Sequence, residues 1–332
     1  MTSPALTRPA ILVAGGAGYI GAQTCKALAQ AGYLPVVLDN LSTGHRQAVK
    51  WGPFIEGDLR DEALVRETVA RHDIKGAMHF AAYSIVGESV KDPLKYYDNN
   101  VGAAVAFTRA LVAAGIEAFV FSSTAAAYGN PVVSPIPEDH PTVPINPYGA
   151  SKLAFESALH WFGEAYRFRW NALRYFNAAG ADPEGETGES HEPETHLIPN
   201  LVKAALGTGP GLTVFGEDYP TPDGTPIRDY IHVVDLAEAH VRAIATLIDG
   251  AGSAIMNVGT GVGVSVKQVI EAAEATLGVP VPRTVGARRP GDPPSLVADS
   301  SLIKQRLGWT ARCSDLGSII RDAALWQRQR AW

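Results

Sequence analysis

A tyrosine and a lysine four residues apart, Tyr148 and Lys152, form the pair best suited to acid–base chemistry. Asn146 is typical of an N-cap and Pro147 of a first helical position, so both side chains should project from one face of a helix. A free tyrosine, with a pKa of about 10, is a poor base at neutral pH, but a cation within about 4–6 Å lowers that pKa by roughly 1–3. The pair therefore predicts an activated phenol. A surface tyrosine stacked on a lysine stem is the alternative for an isolated Y-x-x-x-K.

A glycine-rich segment follows the first apolar run of the chain. The run 10–14 has the composition of a buried parallel strand, and it leads through GGAGYIG (15–21) into a helical stretch. Gly15, Gly18 and Gly21 permit a tight turn, close approach to a phosphate and close packing of helix on strand. The helix N-terminus then offers free N–H groups to a pyrophosphate. A glycine turn without a ligand is the alternative, and the neighbouring elements favour a dinucleotide site.

An acidic residue ends the second apolar run. The run 34–38 is followed by Asp39, at the spacing expected for the carboxylate that accepts the ribose hydroxyls of NAD. No arginine follows to receive the 2′-phosphate of NADP, so NAD is predicted. Asp58 ends the strand 54–55 and is a candidate for the adenine side, or else a residue of a turn or helix entry.

Strands and helices alternate through the first half of the chain. Further strands are predicted at 77–81, 119–122 and 172–176, with helices from 62, over 93–114 and from 147. This order predicts an α/β fold with a doubly wound parallel sheet of Rossmann type over 10–178. The loop 178–194 then opens a smaller α/β substrate-binding domain over 179–332, some of whose segments could return to the first domain.

Composition narrows the class of protein. The 332 residues carry a net charge of −6, 46% hydrophobic residues and only two cysteines, Cys25 and Cys313, in no metal-like or redox-like spacing. These values give no support for nucleic-acid or membrane binding, and no metal is expected. Residues 1–9 lack a signal-peptide pattern and are expected to form a loose tail, so a cytoplasmic protein is predicted.

Thr124 is the third catalytic candidate. It follows the strand 119–122, and ligands bind at the carboxyl ends of parallel strands. A cluster that only satisfies backbone groups is the alternative, and it suits Ser122 or Ser123 nearly as well. Thr124, Tyr148 and Lys152 together resemble the triad of the short-chain dehydrogenase/reductase superfamily, in its extended, sugar-nucleotide-modifying branch.

Within that branch the chain most resembles the UDP-glucose 4-epimerases, from about residue 11 to 309. The segments that carry the resemblance are GGAGYIG (15–21), LDNLSTG (38–44), GDLRD (57–61), HFAA (79–82), VGESV (86–90), PLKYYDNNV (93–101), NPYGASK (146–152), LRYFNAAGADPEGETGE (173–189), THLIP (195–199), DGTPIRDYIHVVDLAEAH (223–240) and RRPGDPPSLVADSS (288–301).

The resemblance implies a set of binding residues. Those expected to hold NAD are Gly15, Gly18, Tyr19, Ile20, Gly21, Asp39, Asn40, Asp58, Leu59, Phe80, Ala81, Ala82, Asn99, Ser122, Tyr148, Lys152 and Phe176. Those expected to hold the UDP-sugar are Thr124, Asn177, His196, Leu197, Arg228, Arg289, Asp292 and Leu296. Arg228 and Arg289 would bind the diphosphate and Asp292 a ribose hydroxyl, although paired arginines at 288–289 are more commonly a solvated loop pair.

Two alanines and two departures refine the expected chemistry. Related sugar-nucleotide dehydratases and decarboxylases carry an acid where this chain has Ala125 or Ala126, so its reaction should stop at oxidation and reduction of one carbon. Ser84 stands where the best-known epimerases have a lysine near the nicotinamide ribose. His196 stands where many have an asparagine, and it could donate a hydrogen bond or be structural.

The expected activity is NAD-dependent epimerisation at C4 that interconverts UDP-glucose and UDP-galactose through a transient 4-keto sugar. Another UDP-sugar (a pentose, a uronate or an N-acetylhexosamine) is the alternative substrate, and a non-catalytic NAD-sensing regulator is the alternative class of protein. The resemblance also implies a homodimer that packs the helices starting near Pro93 and Pro147.

Overall fold

The computed structural model describes residues 9–289, 292–330 and 332. The expected tail lies, apart from Pro9, outside the described residues. Strands are observed at β1 Ala10–Ala14, β2 Leu34–Asp39, β3 Phe54–Glu56, β4 Ile74–His79, β5 Ala118–Thr124, β6 Arg169–Tyr175, β7 Asn177–Ala179, β8 Leu212–Phe215, β9 Ile227–Arg228, β10 Tyr230–His232, β11 Ala254–Val258, β12 Val264–Ser265, β13 Arg283–Gly286 and β14 Ser295–Leu296. Helices are observed at α1 Tyr19–Gln30, α2 Glu62–His72, α3 Val86–Lys91, α4 Pro93–Tyr97, α5 Ala104–Ala113, α6 Pro147–Ala165, α7 Leu197–Ala205, α8 Val233–Ile248, α9 Val266–Leu277, α10 Ser301–Leu307 and α11 Leu316–Gln329.

Seven strands form one parallel sheet in the order β11-β6-β5-β4-β1-β2-β3. Because parallel strands need crossovers, helices cover both faces of the sheet. One buried cluster lies between the sheet and α2, α5 and α6, and a second lies between the sheet and α1 and α8. The predicted doubly wound Rossmann-type fold is confirmed.

A third core belongs to the later part of the chain. It joins α7, α9 and α11 to β8, with Leu201, Val269 and Ile319 fully buried. Strand β11 nevertheless pairs with β6 of the large sheet, and α8 packs against α1. Segments beyond residue 179 thus contact the large sheet and α1, while the division into two domains at 178/179 stays a prediction.

The predicted helix over 93–114 is observed without a break over 93–113, but its middle is π-helical. Helix α4 ends at Tyr97, a π-helical stretch follows over Asp98–Ala103, and α5 begins at Ala104. The side chain of Asn100, buried in this stretch, donates to the carbonyl of Tyr83 (3.0 Å) and accepts from its N–H (2.9 Å). These contacts accompany the wider turn, and such π-bulges are frequent at functional sites.

Among the described residues, no helix combines the length and the apolar character needed to cross a membrane.

Candidate active site

The glycine turn fits tightly against the loop after β4. Gly15 has φ +79°, and a Cβ at this position would lie 2.5 Å from the backbone nitrogen of Ala81. A Cβ on Gly21 would lie 2.1 Å from the carbonyl oxygen of Gly15, so only glycine lets α1 approach the turn so closely. Gly15 and Gly21 thus allow the predicted tight turn and close packing, while their role in binding a phosphate stays a prediction.

Gly18 is less crowded, and it precedes the first turn of α1. A Cβ here would meet only the Gly15 carbonyl oxygen, at 3.4 Å, and the residue provides no side-chain cap for the helix. Tyr19 and Ile20, which follow it, are partly exposed. The beginning of α1 therefore offers backbone N–H groups and the positive end of the helix dipole to an anion.

Asp39 lies at the carboxyl end of β2, beside this turn. Its two carboxylate oxygens accept hydrogen bonds from the N–H groups of Ala17 (3.0 Å) and Leu41 (2.8 Å). Burial raises the pKa of Asp39, and these two backbone donors lower it in part. The carboxylate is thus oriented by the glycine turn, where a ribose acceptor was predicted.

The expected adenine side lies next to it. The Asn40 amide donates to Asp58 (3.0 Å), and the N–H of Arg60 also donates to this carboxylate (2.9 Å). Burial alone would raise the pKa of Asp58, but these donors and the Arg60 charge lower it. Leu59, also predicted here, is buried in the core beneath the sheet.

Thr124, Tyr148 and Lys152 are brought to the ends of β5 and α6. The caps of α6 are as predicted, since Asn146 accepts from the N–H of Gly149 (2.9 Å) and Pro147 opens the helix. The Lys152 ammonium group donates to the carbonyl of Ser122 (2.8 Å) and lies 4.8 Å above the ring of Phe121. The three candidates therefore lie together at the carboxyl edge of the sheet.

The pKa of Tyr148 was expected to be lowered by Lys152, but in the structure it is raised. Burial raises the pKa of Tyr148, and a side-chain hydrogen bond with Thr124 lowers it in part. Burial lowers the pKa of Lys152 to about 7, against the attraction of Glu156. Both pKa shifts arise because the two side chains are enclosed by the protein. The Lys152 ammonium group is held by its hydrogen bond to the Ser122 carbonyl.

A buried ion pair that the sequence analysis did not predict lies near Lys152 and acts on its charge. Glu156, one turn further along α6, accepts two hydrogen bonds from Arg174 of β6 (3.0 and 2.5 Å) and one from Ser123. The Arg174 guanidinium group also lies 4.8 Å from the ring centre of Tyr128. The i, i+4 spacing of Lys152 and Glu156 was a signal that could have suggested a charge pair.

Asn100 links the loop after β4 to helix α6. Besides its bonds to Tyr83, its amide donates to the Ser151 hydroxyl (3.1 Å), which donates to the carbonyl of Tyr148 (2.8 Å). The side-chain amide of Asn99, a predicted cofactor residue, donates to the side-chain oxygen Oδ1 of Asn100 (3.1 Å). Phe80, Ala81 and Ala82, also predicted, lie just past the end of β4 and are partly exposed.

The predicted substrate residues come from five separate segments of the chain. Arg228, 8% exposed, pairs with Asp292 and donates to the Ile227 carbonyl (2.7 Å). Arg289 is exposed and lies 4.2 Å from the ring centre of Phe215. Its neighbour Arg288 instead pairs with Asp218 (2.6 Å).

Leu296 and Phe176 lie near Ala125, which follows the end of β5. Both are partly buried against a small cluster formed by Ala125, Tyr128 and Ile136. Asn177, at the start of β7, is held by its N–H, which donates to the carbonyl of Asp229 (2.9 Å). The positions of these residues are consistent with the predicted sugar side of the site, and their roles stay predictions.

His196 lies at the N-cap of α7, directly before Leu197. Its Nδ1 is 2.7 Å from Glu189 and 3.1 Å from Glu194. Burial alone would lower the pKa of His196, but these two carboxylates raise it to about 10. Ser84, the other departure from the expected pattern, is exposed.

A sequence model of the NAD dependent epimerase/dehydratase family matches residues 11–259. The chain belongs to this family. It is 52% identical over 316 residues to a UDP-glucose 4-epimerase of Rhizobium leguminosarum bv. trifolii, with 95% of this chain and 96% of the relative covered.

Two solved structures of epimerases share the architecture over almost the whole chain. A UDP-glucose 4-epimerase from Brucella ovis in complex with NAD has a TM-score of 0.93 and 50% identity, covering 95% of this chain and 97% of that one. A UDP-Glc/GlcNAc 4-epimerase from Campylobacter jejuni has a TM-score of 0.84 and 39% identity, covering 97% and 100%. The predicted membership of an NAD-dependent epimerase family is confirmed.

Proposed function

We propose that the chain is an NAD-dependent UDP-glucose 4-epimerase that interconverts UDP-glucose and UDP-galactose. The observation that carries this proposal is the placement of Thr124, Tyr148 and Lys152 at the strand ends beside the glycine turn. Membership of the family and about 50% identity to named UDP-glucose 4-epimerases over nearly the full length support it.

The residues around the turn fit NAD. The uncapped beginning of α1 suits the pyrophosphate, and the carboxylate of Asp39 suits the ribose hydroxyls. Gly15 and Gly21 sit where any Cβ would collide with backbone, which keeps the turn close to the sheet. When bound, NAD supplies the acceptor and donor of the hydride at C4.

The chain itself handles the proton. Tyr148 takes the proton of the C4 hydroxyl and returns it to the C4 oxygen after the sugar has turned over, so no proton is gained or lost. Thr124, hydrogen-bonded to Tyr148, holds the same oxygen. Lys152 carries the positive charge that stabilises the phenolate, and it orients the nicotinamide ribose.

The surroundings of the sugar favour a reaction confined to C4. Ala125 and Ala126 follow Thr124 and offer no group that could remove water or carbon dioxide. The resulting 4-keto sugar is therefore reduced again rather than processed further.

The UDP portion is assigned to the later segments of the chain. Arg228 and Arg289 bind the diphosphate, Asp292 accepts from a ribose hydroxyl, and Asn177 contacts the diphosphate. Because Arg228 pairs with Asp292, the two side chains are already positioned as a cation and an acceptor side by side. His196 and Leu197 contribute from the start of α7.

A UDP-N-acetylhexosamine is the second candidate substrate. In related epimerases the position of Leu296 lines the sugar pocket near the 2-substituent, and a tyrosine there excludes N-acetylated sugars. Leu296 packs near Ala125 and Phe176 and is smaller than that tyrosine, so it should exclude a larger 2-substituent less strictly. One structural relative is named a UDP-Glc/GlcNAc 4-epimerase, which keeps this candidate open.

A homodimer in the cytoplasm completes the proposal. Leu94 on α4 is 81% exposed, Tyr97 44%, and Trp161 on α6 66%. Large apolar side chains with such exposure on neighbouring helices are typical of an interaction surface. The two helices predicted to pair across a dimer thus carry the apolar side chains that the pairing would cover.

The decisive experiment follows UDP-galactose by NMR during incubation with the purified protein. Appearance of UDP-glucose supports the proposal, and unchanged UDP-galactose with a folded protein contradicts it. Tyr148→Phe should lower kcat by about 10²–10⁴-fold, because the proton acceptor is lost. Tyr166→Phe, at the exposed end of the same helix, is the matched control and should keep its activity.

A further inference from the structure

Four side chains meet in the loop before α7 and at its first turn. They are called the 189–196 cluster here and comprise Glu189, His191, Glu194 and His196. One ligand atom from each lies within 4.8 Å of all the others. Two imidazoles and two carboxylates form a donor set that zinc and similar divalent ions accept.

The separations within the 189–196 cluster suit one central ion. Glu189 Oε1 lies 2.7 Å from His196 Nδ1 and 3.3 Å from His191 Nδ1. The two oxygens of Glu194 face different imidazoles: Oε1 lies 3.1 Å from His196 Nδ1, and Oε2 lies 3.7 Å from His191 Nδ1. A tetrahedral zinc ion with bonds of about 2.0–2.2 Å holds its ligand atoms about 3.3–3.6 Å apart. Small side-chain movements would bring all four atoms to that distance.

Hydrogen bonds among the described residues leave some polar atoms of the 189–196 cluster without a partner. Of the four nitrogen–oxygen approaches, only that of His196 to Glu194 has hydrogen-bond geometry. Glu194 Oε2 and His191 Nδ1 are buried and find no partner within the described part of the chain. The Glu194 side chain is 4% exposed, so an orphaned carboxylate oxygen points into the cluster.

The ligand atoms are also held in place. Glu194 Oε1 accepts from the N–H groups of Thr195 (2.8 Å) and His196 (2.9 Å), which fixes the carboxylate and leaves Oε2 free to face His191. The loop itself is tied down, because the Trp326 indole donates to the carbonyl of Glu189 (3.0 Å). Fixed carboxylates of this kind are the usual support of metal sites.

A second cluster of carboxylates in the same loop differs from the 189–196 cluster because it already surrounds a cation. Asp182, Glu184 and Glu186 also converge, but the Lys26 ammonium group lies between them, at 2.9, 2.6 and 2.8 Å. That group therefore already has its cation. No lysine or arginine pairs with the 189–196 cluster among the described residues.

We propose that the 189–196 cluster binds one divalent transition-metal ion, with zinc the best chemical match. The two carboxylates would balance the charge of the ion, and both imidazoles would bind through Nδ1. The ion would connect the loop after β7 to the first turn of α7, next to Leu197. Its role is structural, since it fixes the start of a helix assigned to the UDP-sugar and does not replace Tyr148.

The test uses untagged protein, stripped with a chelator and titrated with zinc chloride at pH 8 by calorimetry. Wild type should bind about one zinc ion per chain and gain thermal stability, as a four-ligand site does. Glu194→Gln and His191→Gln should each weaken zinc binding by at least about 100-fold, since even second-layer partners of a metal account for 10–100-fold. Glu184→Gln is the matched control and should leave zinc affinity unchanged.

Cobalt provides a measurement that does not depend on the variants. A tetrahedral cobalt complex of the stripped wild type should absorb visible light and lose that band when zinc is added. Absence of saturable zinc binding would show that only hydrogen bonds and ion pairs connect the side chains of the 189–196 cluster, and it would overturn the proposal. Equal zinc affinity in Glu194→Gln, His191→Gln and wild type would do the same, whatever the activity of the enzyme.

Discussion

The ion pair of Glu156 and Arg174 gives the sharpest test of what stabilises the packing of α6 on β6. Their side chains are 2% and 3% exposed and share two hydrogen bonds, of 3.0 and 2.5 Å. Replacing one partner leaves the other charge buried without compensation, which costs about 3–5 kcal/mol of unfolding free energy. Glu156→Leu and Arg174→Met should therefore each be strongly destabilised.

Replacing both partners should be far less harmful. Buried ion pairs exchanged for apolar side chains are commonly neutral or stabilising, so the double variant should recover most of the loss. If the single losses sum to about 6–10 kcal/mol and the double loss is about 0–2, the coupling energy is at least about 4 kcal/mol. The exposed pair of Glu67 and Arg71 on α2 is the matched control, with side chains 61% and 62% exposed. Glu67→Leu should change stability by only about 0.5 kcal/mol.

Urea denaturation followed by tryptophan fluorescence and by circular dichroism measures these differences. Coincident transitions are required, because a chain of this length can unfold in steps. A loss in Glu156→Leu no larger than that in Glu67→Leu would refute the reasoning. So would a double variant as unstable as the sum of the single variants.

The same double variant should affect the pH profile. Burial lowers the pKa of Lys152 to about 7, and the Glu156 carboxylate opposes that effect. Without the carboxylate the pKa falls further, so the protonated lysine is lost at a lower pH. The alkaline limb of the kcat profile should then move to lower pH, and an unmoved limb would show that Glu156 does not act on Lys152.

Further predictions concern the cofactor and the substrate. Purified protein should carry NAD without any being added, and denatured protein that releases no NAD would contradict tight binding. Gly21→Ala should lose stability because its Cβ would lie 2.1 Å from a carbonyl oxygen, whereas Gly18→Ala should keep its Tm and lose NAD affinity. Leu296→Tyr should lower kcat/KM for the N-acetylhexosamine about ten- to a hundredfold relative to UDP-glucose, from about 1–3 kcal/mol of overpacking. An unchanged ratio in a folded, NAD-loaded variant would place Leu296 outside the sugar pocket.

The sequence predicted the cofactor half of the fold well because its signals are local. Glycine spacing, the strand that precedes it and Asp39 lie within 30 residues of one another, and the structure places them together. Contacts between distant segments were not predictable in this way. Nothing in the sequence shows that Glu156 faces Arg174, or that Asp229 accepts from the N–H groups of Thr260 (2.8 Å) and Ala298 (3.1 Å).

Local signals also misled where burial competes with them. A lysine one turn from Tyr148 was expected to lower its pKa, but enclosure of the phenol raises it. The helix predicted over 93–114 is present, but the sequence did not reveal its π-helical stretch, in which the Asn100 side chain binds Tyr83. In both cases the spacing located the element, whereas tertiary contacts determined its detail.

The contacts of α1 explain how the two parts of the site are kept in register. Tyr19, in the first turn of α1, donates through its hydroxyl to the carbonyl of Gly180 (2.7 Å). About two turns further along, Lys26 binds Asp182 of the same loop. That loop begins after β7, close to Asn177, and ends at α7. Helix α1, whose N-terminus is proposed to bind NAD, therefore also holds the loop that leads to the proposed UDP-sugar residues. Because one element supports both proposed sites, a change in the Tyr19 contact should disturb NAD and UDP-sugar binding together.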